Sequence, residues 1–232
     1  MSSALRPFAA LPGYGVGGLL VLLLYAIQSE IRFGPKARRM STGPADRGST
    51  LAVSLSSAIP MLGFVLAMRR ESSSALLPSW FGIMPGMPAI AWVGVIIGTL
   101  GLLVRLWSVL ILRDRYTRTL QTQTGQMLER GGPYRFVRHP GYLGSLLCLN
   151  GIAMASGDLL TVIASLAATS AAYAYRIRVE DAMLGAQFGA SYRTYCGEVA
   201  ALMPFRSFRN IASERAAVNQ PPNHDERSPK SR

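Results

Sequence analysis

The stretch Gly132–Gly144, GPYRFVRHPGYLG, gathers residue types that hold charged small molecules. It contains Arg135, Arg138 and His139, with Tyr134 and Tyr142, and it runs straight into the apolar segment Leu143–Ala155. His139 is the one histidine outside the C-terminal tail, where His224 lies. Pro133 sets a turn before Tyr134. Pro140 suits the first turn of a following helix, where its missing N–H costs nothing. The N-terminus of that helix, with free N–H groups and the positive end of a dipole, would attract a carboxylate or phosphate. Arg135 and Arg138 would share a face of a helical turn. Anchoring to anionic lipid explains the arginines but not the Pro-Tyr, His-Pro and Gly-Tyr pairs. The segment reads as a site for an anionic or zwitterionic ligand at a bilayer surface.

Glu180 and Asp181 are an adjacent carboxylate pair just beyond the last apolar stretch. Facing a basic loop, they could take the ammonium or sulfonium end of a zwitterion, and Tyr134 and Tyr142 could offer aromatic faces to a cation. The alternative is pairing with Arg176 or Arg178 on a solvated helix face. Arg105 lies inside an apolar stretch, about 10 Å along a helix from Leu112. It either faces the protein interior or snorkels to the headgroups. Cys148 and Cys196, with two histidines, give no zinc spacing, so no metal site is expected. Gly13-Tyr14-Gly15-Val16-Gly17-Gly18 matches a dinucleotide-loop pattern, but it lacks a preceding strand and a following acidic residue. Its glycines open an apolar helix, where small residues allow close packing. Gly94 and Gly98 read the same way.

The elements that must carry these residues are membrane helices. Half of the 232 residues are hydrophobic, and they are bunched. Gly13–Gln28, Thr50–Met68 and Met87–Leu112 read as spans able to cross a ~30 Å hydrocarbon core, the last interrupted by one charge. Tyr142–Ala155 and Leu159–Tyr175 follow, separated only by Ser156-Gly157-Asp158. They are two tilted spans or a tight helical hairpin that does not fully cross. The net charge of +12 is distributed asymmetrically. Arg32, Lys36, Arg38, Arg39 and Arg47 follow the first span. Arg113, Arg115, Arg118, Arg130, Arg135 and Arg138 follow the third, and Arg176, Arg178 and Arg193 the fifth. The opposite side has Arg6, Arg69 and Arg70. This places the N-terminus outside and the C-terminus in the cytoplasm. It accounts for the charge through membrane lipids, with no nucleic-acid partner. A bacterial plasma membrane and the endoplasmic reticulum fit equally.

The fold class expected is therefore all-α: a polytopic membrane protein of about five transmembrane helices with a cytoplasmic C-terminal helix. Arg113–Tyr116 should continue the third span, and Arg176–Tyr195 should form the cytoplasmic helix, interrupted late by Gly189. Residues 1–205 form one domain. Residues 206–232 are rich in Ser, Asn, Pro and charge, as a disordered cytoplasmic tail is.

Taken together, GGPYRFVRHPGYLG, the helical hairpin, Glu180-Asp181 with Leu184, Phe188-Gly189 with Tyr192 and Tyr195, and Pro204 resemble the isoprenylcysteine carboxyl methyltransferase family, which is related to the phospholipid methyltransferases. The likeness extends upstream through Asp46-Arg47-Gly48-Ser49 and Arg105-Leu106-Trp107, covering roughly residues 46–205. It implies an integral membrane enzyme that uses S-adenosylmethionine without a Rossmann domain and takes a lipophilic acceptor from the bilayer. It further implies that Tyr134, Arg138, His139, Pro140, Tyr142, Gly144, Glu180 and Asp181 bind the cofactor, with His139, Glu180 and Arg105 nearest the chemistry. If the acceptor needs deprotonation, His139 or Glu180 is the base. Asp181 stands where Glu is usual. Glu198 and Ala200 stand where carboxyl-methylating members carry a basic residue and often a proline. Glu198 has the wrong sign to partner a carboxylate, leaving Arg193 or Arg105 for that role. Phospholipid or other small-molecule N- or S-methylation is the alternative within the family. Outside it, Tyr192–Cys196 is similar to the C-terminal region of NADPH-dependent sterol-type membrane reductases, and a non-enzymatic membrane scaffold is the further alternative.

Overall fold

The computed structural model describes residues 13–31, 46–71, 88–112 and 128–203. Within them the chain is helical: α1 (Gly13–Ile31), α2 (Ser49–Glu71), α3 (Pro88–Leu112), a 3-10 turn (Gly132–Arg135), α4 (Pro140–Ala155), α5 (Leu159–Phe188) and α6 (Ala190–Glu198). The expected extension of α3 over Arg113–Tyr116 and the tail at 206–232 lie outside the described residues.

The closest helix pair is α3 with α4, and α2 packs chiefly on α5. Glycine makes the first contact possible. A Cβ on Gly151 would sit 2.4 Å from the Gly98 nitrogen and 2.6 Å from the Gly94 oxygen, and one on Gly101 would sit 2.5 Å from the Cys148 nitrogen. The two backbones thus touch directly, as small residues permit between apolar helices. Gly94 and Gly98 are the packing pair expected of them. Gly18, the last glycine of the Gly13–Gly18 run, lies against Phe64 and Ala155, also a packing role. Val21, Phe64, Leu102, Cys148, Ile152 and Ala155 form the buried apolar centre.

The outer faces are equally apolar. Leu20, Leu24, Leu55, Leu62, Ile96, Leu103, Trp107, Ile163 and Leu166 are exposed, a belt that water would disfavour and lipid would solvate. By length and composition, Ser49–Ala67 and Ala89–Leu112 suffice to cross a bilayer, while Gly15–Gln28 and Pro140–Ala155 are apolar but shorter. The described helices therefore support two of the five expected spans by that measure. The other three helices are short or, like α5, carry hydroxyl residues along one face.

The turn between α4 and α5 falls at Ser156–Asp158, as the sequence indicates. Gly157 takes φ +68, and Asp158 caps α5 by accepting from the Leu160 N–H at 3.0 Å and the Thr161 hydroxyl at 3.0 Å. One expectation needs correction. No separate cytoplasmic helix begins at Arg176, because α5 runs unbroken for 30 residues. Val179, Met183 and Ala186 continue the helical period of the apolar half, so nothing stops the helix before Gly189. There φ reaches +57, a left-handed conformation suited to glycine, and α6 starts in a new direction.

Candidate functional site

The polar residues collect at one end of the bundle, where α4 begins and α5 outruns it. Pro133 opens the 3-10 turn, and Gly132 adopts φ +55. A Cβ there would press on Ile111 of α3 at 3.0 Å, so the turn lies directly against the end of that helix. The segment after α6 braces the loop from the other side. The Arg138 N–H donates to the Ala200 carbonyl at 2.9 Å and the His139 N–H to the Ala201 carbonyl at 3.1 Å. The Tyr195 hydroxyl donates to the Tyr134 carbonyl at 2.6 Å. Tyr192 and Tyr195 are buried beneath this strap.

His139 is buried between the two acids. Its Nε2 lies 2.8 Å from Asp181 Oδ1, and its Nδ1 lies 3.4 Å from Glu180 Oε2. Arg138 Nη1 reaches Asp181 Oδ2 at 3.3 Å, and the Tyr192 hydroxyl donates to Asp181 Oδ1. Burial alone would depress the imidazole pKa, but the hydrogen bond to Asp181 and the adjacent Glu180 carboxylate outweigh it, raising the value from 6.5 to about 9. For both carboxyls burial works upward, and the His139 contact overcomes it, so each is held below its ordinary value. Near neutral pH the site is an imidazolium between two carboxylates.

Tyr142 lies parallel to the imidazole, with centroids 5.4 Å apart and 5° between planes. Its hydroxyl accepts from Arg176 Nε at 3.0 Å. Arg176 in turn reaches Asp46 Oδ1 at 2.6 Å, in front of α2. Asp46, the Ser49 hydroxyl and the Thr50 hydroxyl together enclose its Nη1.

The structure thus brings together Arg138, His139, Tyr142, Glu180 and Asp181 from the expected set. Tyr134 contributes its backbone carbonyl to Tyr195. Pro140 is buried as the first residue of α4. Gly144 sits in the α3 seam, where a Cβ would meet the Arg105 nitrogen at 2.6 Å and the Gly101 oxygen at 2.6 Å; its observed surroundings are helix packing. Arg105 faces the interior, not the headgroups. It donates to Ser145 Oγ at 2.6 Å and Gly141 O at 3.5 Å and lies 5.2 Å from the Tyr25 ring centroid.

Two expectations are corrected, and one open choice is decided. Arg135 and Arg138 do not share a helical face, because the turn ends at Arg135, leaving that side chain exposed while Arg138 folds inward. The start of α4 is not a row of free donors. Arg138 and His139 donate to the strap, and the Tyr142 and Leu143 N–H groups donate to the His139 carbonyl. Of the two readings of the acid pair, the structure has it facing the basic loop through His139, with Arg176 of the alternative adding its charge to Glu180. Glu198 pairs with exposed Arg130, which also lies over the Tyr195 ring. Sequence reasoning gave Asp46, Arg176, Tyr192 and Cys196 no site role. Asp46, Ser49 and Thr50 carry a capping pattern and Asp46-Arg47-Gly48-Ser49 lies within the family resemblance, the signals that could have singled out Asp46. Cys196 accepts from Arg138.

Comparison with known proteins bears on what this cluster serves. The family model for phospholipid methyltransferases matches residues 89–191, which take in α3, α4, α5 and the cluster. A probable protein-S-isoprenylcysteine O-methyltransferase of Oryza sativa subsp. indica is 26% identical over 152 residues, covering 62% of this chain and 75% of that protein. The Tribolium castaneum protein-S-isoprenylcysteine O-methyltransferase is 26% identical over 153 residues, 61% of this chain and 54% of its own. The chain is thus similar to phospholipid methyltransferases and to protein-S-isoprenylcysteine O-methyltransferases. The cobalt-zinc-cadmium resistance protein CzcN of Cupriavidus metallidurans is 29% identical over 141 residues, 61% of this chain and 59% of that one. Among solved structures, the eukaryotic intramembrane Ras methyltransferase, isoprenylcysteine carboxyl methyltransferase, superposes with a TM-score of 0.59 at 17% identity, covering 85% of this chain and 70% of its own. That likeness is one of fold, and the intramembrane setting of that enzyme accords with the apolar belt.

Proposed function

We propose that the protein transfers a methyl group from S-adenosylmethionine to a lipophilic acceptor at the cytoplasmic end of its helices. The observation that carries the reading is the His139 imidazolium held between Glu180 and Asp181, which joins the Arg-His-Pro loop to the acidic helix in one buried cluster. Two polar atoms favour a zwitterionic guest. Arg138 Nε is buried and makes no hydrogen bond among the described residues, a costly state unless a partner arrives, and Glu180 Oε2 is buried with its ion pair to His139 Nδ1 at 3.4 Å. Arg138 would take the guest's carboxylate and Glu180 its cationic portion, with His139 and Asp181 fixing both. S-adenosylmethionine supplies an electrophilic methyl on a sulfonium. The chain's own contribution is alignment of the reactants and exclusion of water.

The electrostatics narrow the acceptor. An imidazolium with its pKa raised to about 9 is a poor base at neutral pH, and a carboxylate held below its ordinary range is a weak one. The site therefore favours an acceptor that is already nucleophilic, such as a carboxylate or a neutral amine, over a thiol or hydroxyl that must first lose a proton. The relatives named for isoprenylcysteine O-methylation suit the first, and the phospholipid methyltransferase match suits the second. With Glu198 engaged by Arg130, its charge is offset, and Arg105 is a cation on the bilayer side.

In this reading all five helices α1–α5 cross or enter the bilayer, with the N-terminus outside and the cluster on the cytoplasmic side, where the arginine-rich linkers lie. The decisive experiment incubates the purified protein with methyl-labelled S-adenosylmethionine and total membrane lipid. A labelled, lipid-soluble product is expected. His139→Ala and Glu180→Ala should each lower its formation by about 10²-fold or more. Retention of a nicotinamide cofactor with no retention of S-adenosylmethionine would overturn the proposal.

A further inference from the structure

We infer that the Asp46–Thr50 turn belongs to the working site, with Asp46 a positioning residue that holds the His139 imidazole through Arg176 and Tyr142. This turn lies outside the segment matched by the family model, and it meets Arg176 across 130 residues of chain. Asp46 is fully buried. Its Oδ1 accepts from Arg176 Nη1 at 2.6 Å, Ser49 Oγ at 3.0 Å and Thr50 Oγ1 at 2.6 Å, and its Oδ2 accepts from the Thr50 N–H at 3.1 Å. Arg176 spends a second edge of its guanidinium on the Tyr142 hydroxyl. The Tyr142 ring covers one face of the imidazole, whose two nitrogens meet the acid pair. A rigid planar fork transmits direction as well as charge, so the orientation of Tyr142 follows from where Asp46 fixes Arg176.

The turn itself is held in place. Arg47 takes φ 47 and Gly48 φ 76. A non-glycine residue in that region persists only where its surroundings impose it. Here the Tyr175 hydroxyl donates to the Arg47 carbonyl at 2.7 Å. Two successive residues of α5, Tyr175 and Arg176, therefore seize the same turn. A buried ion pair is a weak source of stability compared with well-packed apolar groups. A positioning role accounts for the arrangement where stability alone does not.

The inference rests on the methyltransferase reading only for the activity part of its test. The chain has two histidines, so imidazole-labelled protein in nanodiscs gives two signals, and His224→Ala assigns them. Asp46→Asn and Tyr142→Phe should both move the His139 signal and raise the KM for S-adenosylmethionine by about five- to tenfold. Asn150→Ala serves as the structural control. It removes hydrogen bonds that join α4 to α5 at Thr169 and Ser165, and it should lower the melting temperature while leaving the imidazole signal and KM unmoved. If Asp46→Asn does not fold, Tyr142→Phe, which removes one hydroxyl, carries the test. An imidazole signal that stays in place in the variants that fold overturns the inference. A shifted signal in a protein that neither binds S-adenosylmethionine nor transfers methyl supports the positioning and overturns the methyltransferase reading instead.

Discussion

At the residue scale, the unusual group is a histidine that keeps its proton although buried. Its pKa is raised from 6.5 to about 9, so the stability it contributes is full below about pH 6.5 and is lost as the pH rises through about 9. Glu180 and Asp181 behave oppositely. Their pKa values are lowered from 4.5 and 3.8, so their contribution is full above those values and is lost as the pH falls through the depressed ones. Wild type and His139→Gln should therefore differ most in melting temperature below pH 6.5, with the gap closing toward pH 9. Thermal scans across that range check this, and a gap independent of pH would contradict the assigned charge. Separately, Arg138→Ala should leave Asp181 with its His139 and Tyr192 contacts yet weaken S-adenosylmethionine binding by roughly tenfold, measured by calorimetry. Much of this cluster was legible in the residues themselves. His-Pro at a helix start is unusual enough to be read without coordinates, whereas the acid pair by itself reads as a solvated helix face and joins the loop only through the family resemblance. The pairing of Asp46 with Arg176 was not legible, because positive-inside asymmetry already accounts for an arginine at that end, and nothing local ties it to a carboxylate so far back in the chain.

At the element scale, the α3–α4 contact is set by glycine. Gly151→Leu would drive a side chain into the backbone of Gly98 and Gly94. Overpacking of this kind costs about 1–3 kcal/mol or more, and here the listing of α4 would also carry His139 away from α5. Reduced melting temperature together with lost cofactor binding is expected. Gly157→Ala meets open space, and only the left-handed backbone resists it. It should cost about 1 kcal/mol and leave binding intact, which makes the two variants a matched pair. Helix positions were readable from apolar runs, and the Gly157 turn from its composition. The unbroken passage of α5 through Arg176 was not, because a change from apolar to charged composition resembles a boundary when only hydropathy is followed. Helical periodicity ignores that change, and the backbone does too.

At the scale of the whole molecule, the polar cluster stands on pieces from nearly the full described chain: the front of α2, the loop before α4, the far half of α5 and the strap after α6. The strap is the least expected of these. Its carbonyls accept from the Arg138 and His139 N–H groups just ahead of α4, so the loop that carries His139 is fixed from outside the helix it enters. Val199→Pro should disturb the approach of the strap, since the Val199 N–H donates to the Tyr195 carbonyl at 2.9 Å and proline has none. Limited proteolysis after residue 198 should then accelerate, and labelled product should fall.

The length of α5 has a mechanical consequence. A continuous helix of 30 residues is about 45 Å long, with its lipid-facing half and its acid pair on one stiff rod. Helices accommodate thinner or thicker bilayers by tilting, and a rod that tilts at one end sweeps at the other. Turnover should therefore pass through an optimum as acyl chain length varies, and the chemical step would be tuned by the thickness of the membrane around it.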